Sequence, residues 1–306
     1  MISLRYHVVT LVAVFLAVAL GMLIGSAILQ PRLVDQLKKQ TQTQIAEIHQ
    51  LEADKTSLQN DLGQMSAFTD SAMAWLTQGR LASTRIVMIA QEGVPDVVVG
   101  EAQRALASAG ATVVATLSAR SKLASQDPAD RRQLADILGR PDAGAADLLR
   151  SAVSAIAARL AGPERRFPAA NDVLHGLLSA GFLTPLGSQV TDATLGQIGG
   201  SAEAVVVLAG AEGDRPPMSP DAFSVPLVTA LDRLGVPVAA GQSSGTSERF
   251  ATILRQDVGD RVVTVDDLDV TIGGAALVLG LQQLMIEGRG GAYGTGDGAV
   301  LLPTPP

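Results

Sequence analysis

The longest apolar stretch of the chain covers residues 8–29, where only Thr10 and Ser26 are polar. A helix of this length rises about 33 Å, which is enough to cross the hydrocarbon core of a bilayer. Helices of soluble proteins seldom stay apolar on every face over such a length. The pattern therefore predicts a transmembrane anchor over residues 1–30. Its membrane-embedded side chains include Val8, Phe15, Leu20 and Leu29.

A cleaved signal peptide is the alternative for this stretch. The apolar run is longer than the core of a usual signal peptide, and no clear small-x-small cleavage site follows it, which favours an uncleaved anchor. Basic residues lie on both sides, Arg5 before the span and Arg32, Lys38 and Lys39 after it, so the positive-inside rule does not decide the orientation. The very short segment before the span fits an arrangement with the bulk of the chain outside the cytoplasm.

A heptad pattern follows over residues 31–79 and predicts a coiled-coil stalk. With Val34 at a first a position, seven of ten a and d positions are apolar. These seam residues are Val34, Leu37, Ile48, Leu51, Leu58, Leu62 and Met65. The alternative is one amphipathic helix folded back on its own domain, but the narrow apolar face favours a homo-oligomer. Gly63 is expected to interrupt the helix, Gly79 to end it, and Trp75 to seat it against the next domain.

From residue 80 to residue 288 short apolar runs alternate with helical patterns. The predicted strands are residues 86–90, 111–117, 204–209, 236–240 and 261–265. This alternation predicts an α/β domain with a doubly wound, mostly parallel, Rossmann-like sheet. Asn171 and Thr246 are the expected N-caps of two of its helices, and residues 272–287 are read as a core helix. The Gly- and Pro-rich tail, residues 289–306, is expected to be disordered.

The composition argues against several classes of partner and site. The formal net charge is −7 and no basic stripe occurs, which argues against a nucleic-acid partner. The chain has no cysteine, which excludes disulfides, thiolate nucleophiles and thiolate metal sites. With one Trp, two Tyr and six Phe, grooves lined by aromatic rings are not expected, and the core must be built from Ala, Val, Leu and Ile.

Two loops at the predicted carboxyl ends of the strands are candidate ligand sites, because open α/β sheets bind ligands there. Residues 241–246 could hold an anion with backbone N–H groups, although a simple turn with Thr246 as N-cap is favoured. Asp266, Asp267 and Asp269 could hold Mg²⁺ or Ca²⁺, although carboxylates satisfied by local N–H groups are favoured.

The residues that could bind a soft metal or perform catalysis are scattered. His7, His49 and His175 are far apart, and Met88 and Met285 are interpreted as core residues. No nucleophile–base set is evident, so we expect a protein that is not an enzyme, with no catalytic or cofactor-binding residues and with any metal ligands unassigned.

Both ends of the chain resemble one known family. Residues 1–10, the span ending in residues 21–26, residues 263–269, residues 275–280 and the closing Gly-Ala-Tyr-Gly at residues 291–294 are similar to the mycobacterial copper transport protein B (MctB) family. The middle of the chain carries little of this signature. Members of the family have a His before the closing Tyr, where this chain has Ala292.

The resemblance implies an actinobacterial envelope protein of copper homeostasis or efflux, with copper as its only implied metal. Some members are described as septal envelope proteins (SteB) that act with a membrane partner in cell division. Two hypotheses follow. The first is a copper-homeostasis or transport component, which the resemblance supports. The second is a non-enzymatic coiled-coil scaffold that recruits partners, which the heptad pattern supports.

Overall fold

The structure is a computed structural model that describes residues 4–163, 172–187, 190–198, 204–211, 217–247 and 249–304. Within these ranges, only the backbone is described for residues 4–5, 26–34 and 192–193. The chain divides into two compact units, residues 1–67 and residues 68–306. The first unit is helical, and the second is an α/β unit. Each is described by itself.

The first helix, α1 (Leu4–Thr77), contains all of the first unit's described residues and the first ten residues of the second. It continues through Gly63, so the predicted interruption there is wrong. A single glycine costs a helix only about 1 kcal/mol, which the long flanking turns outweigh. Gly79, at φ +70°, follows the helix end and takes the left-handed conformation expected after a helix.

The α/β unit contains seven strands among its described residues. They are β1 (Arg85–Gln91), β2 (Thr112–Ala119), β3 (Leu183–Pro185), β4 (Ala204–Leu208), β5 (Val238–Gly241), β6 (Val263–Val265) and β7 (Gly291–Tyr293). The helices that follow α1 are α2 (Asp96–Ser108), α3 (Pro128–Leu138), α4 (Ala145–Ala161), α5 (Val173–Ser179), α6 (Asp192–Gln197), α7 (Ser224–Arg233), α8 (Phe250–Asp257) and α9 (Thr271–Glu287). Two short 3₁₀ turns, Ser121–Ala124 and Gly259–Arg261, complete the described elements.

The strands form one sheet in the order β3-β2-β1-β4-β5-β6-β7. All pairs are parallel except β2 with β3, which is antiparallel. The order reverses between β1 and β4, so this is the point at which the chain changes direction across the sheet. The mostly parallel α/β sheet predicted from the sequence is confirmed.

Helices cover both faces of the sheet, which is why its central strands are apolar on both sides. Side chains alternate along β1: Ile86 and Met88 pack with α2 and α9, whereas Val87 and Ile89 pack with the helices of the other face. Those helices are α3, α4, α5, α6, α7 and α8. The interpretation of residues 272–287 as a core helix is confirmed, because most of α9 is buried.

Local sequence sets several helix ends. At α3, the Asp127 side chain accepts hydrogen bonds from the N–H groups of Ala129 and Asp130, at 2.6 and 3.4 Å, and Gly139 ends the helix at φ +64°. Both residue types are preferred at these positions, Asp as an N-cap and Gly after a helix end.

Two predicted caps are wrong. Asp172, not Asn171, is the N-cap of α5, and its carboxylate accepts from Leu174 N–H at 2.9 Å; Asn171 itself lies outside the described residues. The helix predicted at residues 247–256 begins only at Phe250, so Thr246 is not its N-cap. The Thr246 hydroxyl instead donates to the carbonyl of Ala211 at 3.1 Å.

The predicted disorder of residues 289–306 is wrong for its described part, which ends at residue 304. Residues 291–293 form β7, which pairs with β6. Tyr293 is buried against α9, where an added Cβ at Gly280 would lie 2.8 Å from the Tyr293 ring. Gly294 N–H donates to Val300 O at 2.9 Å, and Val300 N–H donates to Ala292 O at 3.0 Å. Packing of one aromatic ring and this hydrogen-bonded turn fix a segment whose composition alone indicated disorder.

Candidate functional site

The first unit exposes an apolar helical segment near the amino terminus. Residues 6–25 have a mean hydropathy of 2.7 and none of them is buried. Val8, Phe15 and Leu20 are all more than half exposed; the side chain of Leu29 lies outside the described residues. Among the described helices it is the one long and apolar enough to cross a membrane.

A second exposed apolar row follows within the same unit. Six of the predicted seam residues are between 54% and 68% exposed, whereas Val34 lies among the residues whose side chains are not described. These six are Leu37, Ile48, Leu51, Leu58, Leu62 and Met65. Large side chains of this kind are usually covered in a folded protein, so the row forms a surface that another helix could bury.

The end of α1, within the α/β unit, does not pack as predicted. Trp75 is 79% exposed and Phe68 is 70% exposed, so Trp75 does not seat the helix. The residues that face the unit are Ala72, Leu76 and the buried Thr77. The Thr271 hydroxyl also donates to the Asp70 carboxylate at 2.5 Å. A helix face that holds a Trp is commonly buried, but here the adjacent face, which includes Met73 and Leu76, is the less exposed one.

The three aspartates after β6 have different surroundings. Asp266 forms an ion pair with Arg255 at 2.7 Å and accepts hydrogen bonds from Thr295 N–H at 2.8 Å and Gly296 N–H at 3.2 Å. Asp269 accepts from the N–H and the hydroxyl of Ser244, at 2.7 and 2.8 Å. Burial opposes the ionisation of Asp269, but these bonds outweigh it and lower the pKa of its carboxyl. The interpretation of both residues as locally satisfied carboxylates is confirmed.

Asp267 lies between these two satisfied neighbours. It is 3% exposed, and its Oδ1 atom is buried with no hydrogen-bond partner among the described residues. Burial, with the negative charges of Asp266 and Asp269, raises the pKa of its carboxyl to about 6. Ionisation of this buried carboxyl therefore costs more free energy in the folded protein than in water. Among the described residues no group of three His, Asp or Glu side chains could hold a metal ion, so this loop does not form the hard-cation site that was considered.

The loop at residues 241–246 does not form an anion site either. Its Ser244 N–H group already binds the Asp269 carboxylate, and Gly245 N–H donates to the Ser243 hydroxyl at 3.2 Å. The Gln242 side chain accepts from Ala251 N–H at 2.9 Å. A carboxylate of the chain itself therefore takes the place that an external anion would occupy.

At the sheet reversal, described residues after β1 and β4 contact one another. The Gln91 amide donates to Met218 O, and its carbonyl accepts from the Ser224 hydroxyl at 2.6 Å. A Cβ at Gly93 would lie 3.0 Å from both Ala211 and Pro217. These buried contacts make Gln91 a structural residue, and they occupy the position where open α/β sheets commonly bind ligands.

The candidate soft-metal ligands lie on different elements. His49 lies 3.6 Å from Glu52 on α1 in the first unit, whereas His175 lies exposed on α5 in the second. Met88 is buried in the core as predicted, but Met285 is 37% exposed, so its interpretation as a core residue is wrong. Met285 lies on the side of α9 that faces away from the sheet.

Sequence reasoning missed a buried ion pair. The Arg159 guanidinium binds the Asp172 carboxylate at 2.8 Å and donates to the carbonyls of Leu195 and Ile198. The sequence pattern could have indicated this ion pair, because Arg159 lies on the apolar face of α4 together with Ala152 and Ile156. A charged residue that is buried on such a face needs a partner.

The carboxyl-terminal sequence motifs named above meet in space. Gly280 on α9 contacts both Val263 of β6 and Tyr293 of β7, and the Tyr293 hydroxyl donates to Gln283 at 3.0 Å. Asp266 then binds the segment after β7 through Thr295 N–H. These motifs therefore build one corner of the sheet, and their described contacts are with one another.

Comparison with known proteins gives full-length matches. A family model described as "Copper transport outer membrane protein, MctB" matches residues 1–303. Proteins named "Copper transporter MctB" from Mycobacterium tuberculosis (strain ATCC 25618 / H37Rv) and Mycobacterium bovis are each 26% identical over 317 residues, which covers 98% of this chain and 98% of the relative. The protein of the same name from Mycobacterium leprae is 26% identical over 324 residues and covers both chains fully.

Proposed function

The chain belongs to the MctB family, and from this premise we propose that it is a membrane-anchored, non-enzymatic protein of the cell envelope that acts in copper homeostasis. The observation that carries this proposal is the extent of the match, which includes the apolar span, the helix and the sheet together. The relatives are named copper transporters, which supports copper as the cargo of the system.

Copper enters this proposal as cargo, and the donor chemistry of the chain limits how it could be held. Cu(I) prefers thiolate, thioether and imidazole ligands. The chain has no cysteine, and its described histidines are isolated from one another. A single predicted span also makes no pore by itself. The proposed role is therefore in copper handling within an assembly, with the chain supplying an anchor, a helix and an α/β unit.

The test is a deletion strain of the source organism, grown in a series of copper concentrations, with cell septa imaged in parallel. The proposal expects growth to fail at lower copper than in the parent strain, and expects tolerance to return with the wild-type gene. Unchanged copper tolerance together with misplaced septa would contradict it and favour the second candidate.

The second candidate is a homo-oligomeric coiled-coil scaffold that recruits a membrane-protein partner. The specific observation in its favour is the exposed row of six seam residues from Leu37 to Met65. Buried between two or more helices, these side chains would supply a hydrophobic seam, and the polar Thr41, Gln44 and Lys55 at other seam positions would fix its register. The two candidates are compatible, since a copper-handling assembly can be held together by such a seam.

We also propose that the α/β unit lies outside the cytoplasm. Because the chain has no cysteine, a single added thiol reports its own side of the membrane. Gln126→Cys, at an exposed position of the α/β unit, should react with a membrane-impermeant maleimide in intact cells, whereas Ser3→Cys should react only after lysis. The opposite pattern would reverse the orientation.

A further inference from the structure

An open groove lies on the outer side of α9 in the α/β unit, with a volume of about 430 Å³. Leu76 from the end of α1, Leu279 and Ile286 from α9, and Leu302 from the carboxyl-terminal segment form its walls, which are mostly apolar. Ile286 is 74% exposed. The volume lies within the range of small-molecule sites, and such sites are typically apolar with a few polar groups at the edge.

The two charged side chains of this groove's described lining, Glu287 and Arg80, have different partners. The Glu287 carboxylate accepts a hydrogen bond from Gln283 at 3.2 Å and lies 3.9 Å from Arg289. Arg80 donates from Nε to Leu76 O at 3.1 Å, but among the described residues no carboxylate lies within 4.0 Å of its guanidinium. The described lining is thus a mostly apolar trough in which the Arg80 guanidinium has no carboxylate within 4.0 Å, while the Glu287 carboxylate and the amides of Gln282 and Gln283 also line it.

This combination matches a long acyl chain with an anionic head. Each methylene group that enters an apolar trough is removed from water, and a guanidinium binds carboxylate or phosphate oxygens well.

We propose that this groove binds one acyl chain whose anionic head lies at Arg80. The site goes beyond the proposed function and depends on neither copper nor self-association. Bound ligand would extend along Leu279 and Ile286, and it would cover the apolar side of α9 that the chain leaves exposed.

The test uses the purified full chain in nanodiscs of neutral phosphatidylcholine. A palmitate probe with a diazirine near the end of its chain is crosslinked by light and located by mass spectrometry of tryptic peptides. The proposal expects labelling of the peptide at residues 262–289, which contains α9, and at least five-fold weaker labelling there by the methyl ester of the same probe. Labelling of the span peptide measures the total probe in the nanodisc and normalises each sample.

Matched variants locate the site. Leu279→Trp should fill the groove and reduce normalised labelling of residues 262–289 at least five-fold, whereas Leu234→Trp, at an exposed position away from the groove, should leave it unchanged. Ile286→Glu, at a solvent-exposed position, should repel the probe without disturbing the core. Circular dichroism of each variant checks its folding. Arg80→Gln should remove the preference for the acid over the ester.

Competition identifies the source of the ligand. Displacement by oleate indicates a free fatty acid, and displacement by phosphatidylglycerol indicates a membrane phospholipid; either supports the proposal. Labelling confined to the span peptide, labelling of α9 that survives both Leu279→Trp and Ile286→Glu, or equal labelling of α9 by acid and ester in the wild-type chain would overturn it.

Discussion

Neighbouring carboxylates in this protein differ in pKa because of the groups that surround them. Asp269 receives hydrogen bonds from Ser244, whereas Asp267 is buried between two negative charges and has an unpartnered oxygen. Arg255 and the residue's own backbone N–H group oppose the upward pKa shift of Asp267 but do not cancel it. The sequence Asp-Asp-Leu-Asp could not reveal this difference, since it depends on contacts with distant residues.

Asp267→Asn should stabilise the protein at neutral pH. The pKa of the Asp267 carboxyl is about 6 in the folded protein, raised from its ordinary value of 3.8. The contribution of its neutral form to the free energy of unfolding is therefore fully present below pH 3.8 and is lost as the pH rises through about 6. The free-energy loss is on the order of 3 kcal/mol. We therefore expect the Asn variant to melt several degrees above the wild type at neutral pH and close to it in acid. Circular dichroism melts across this range measure the effect.

Asp269→Asn is the matched control for this prediction. It weakens the hydrogen bonds from Ser244 to a carboxylate of lowered pKa, so it should lower the melting temperature at neutral pH. A wild type and an Asp267→Asn variant that melt at the same temperature at every pH would contradict the account of Asp267.

Arg159→Ala should destabilise the α/β unit by about 3–5 kcal/mol, because it leaves the buried Asp172 carboxylate without its partner. The matched change is Arg150→Ala, which removes an exposed ion pair with Asp147 on the same helix and should cost less than about 1 kcal/mol. Urea unfolding of both variants measures the difference. Equal losses of unfolding free energy in the two variants would contradict the account of Arg159 as a buried residue that stabilises the fold through its contacts with Asp172, Leu195 and Ile198.

At the scale of elements, apolar runs predicted the central strands. Residues 86–90 became β1 and residues 204–209 became β4, because continuous apolar runs are needed where both faces of a sheet are covered. The edge strands β3 and β7 have three residues each and no such run, so only pairing in space defines them. The candidate site was predicted less well. Trp75 is exposed, although a Trp on a helix is commonly buried, and the polar groups of the two candidate loops bind one another.

The seam is a prediction at this scale. A fragment of residues 31–306 should be an oligomer, and Leu51→Asp with Leu58→Asp should make it a monomer that still melts cooperatively. Truncation of a packed Leu costs about 2–5 kcal/mol, and a buried charge costs more. The matched control is Gln50→Asp with Ser57→Asp, which adds the same charges at the same spacing away from the seam. Light scattering at equal concentration measures the mass.

An unmutated fragment that is already a monomer at micromolar concentration would contradict this prediction. A double variant that remains an oligomer would show that another surface, such as the exposed Phe68 and Trp75, holds the subunits together.

At the scale of the whole molecule, the described apolar segment at residues 6–25 is long enough to cross a membrane, and the row of seam residues from Leu37 to Met65 is exposed. Loops of the α/β unit bind one another, as Ser244 binds Asp269. These features support the proposal of a membrane-anchored chain that takes part in an assembly.

The central claim is that this chain acts in copper homeostasis through an assembly that its seam holds together. The most direct measurement is the copper content of cells of the deletion strain, complemented at equal protein level with the wild type, with the Leu51→Asp and Leu58→Asp double variant, or with the Gln50→Asp and Ser57→Asp control. We expect the wild type and the control to restore the copper content of the parent strain and the seam variant to leave it as in the deletion. Full restoration by the seam variant, or a deletion strain with unchanged copper, would contradict the claim.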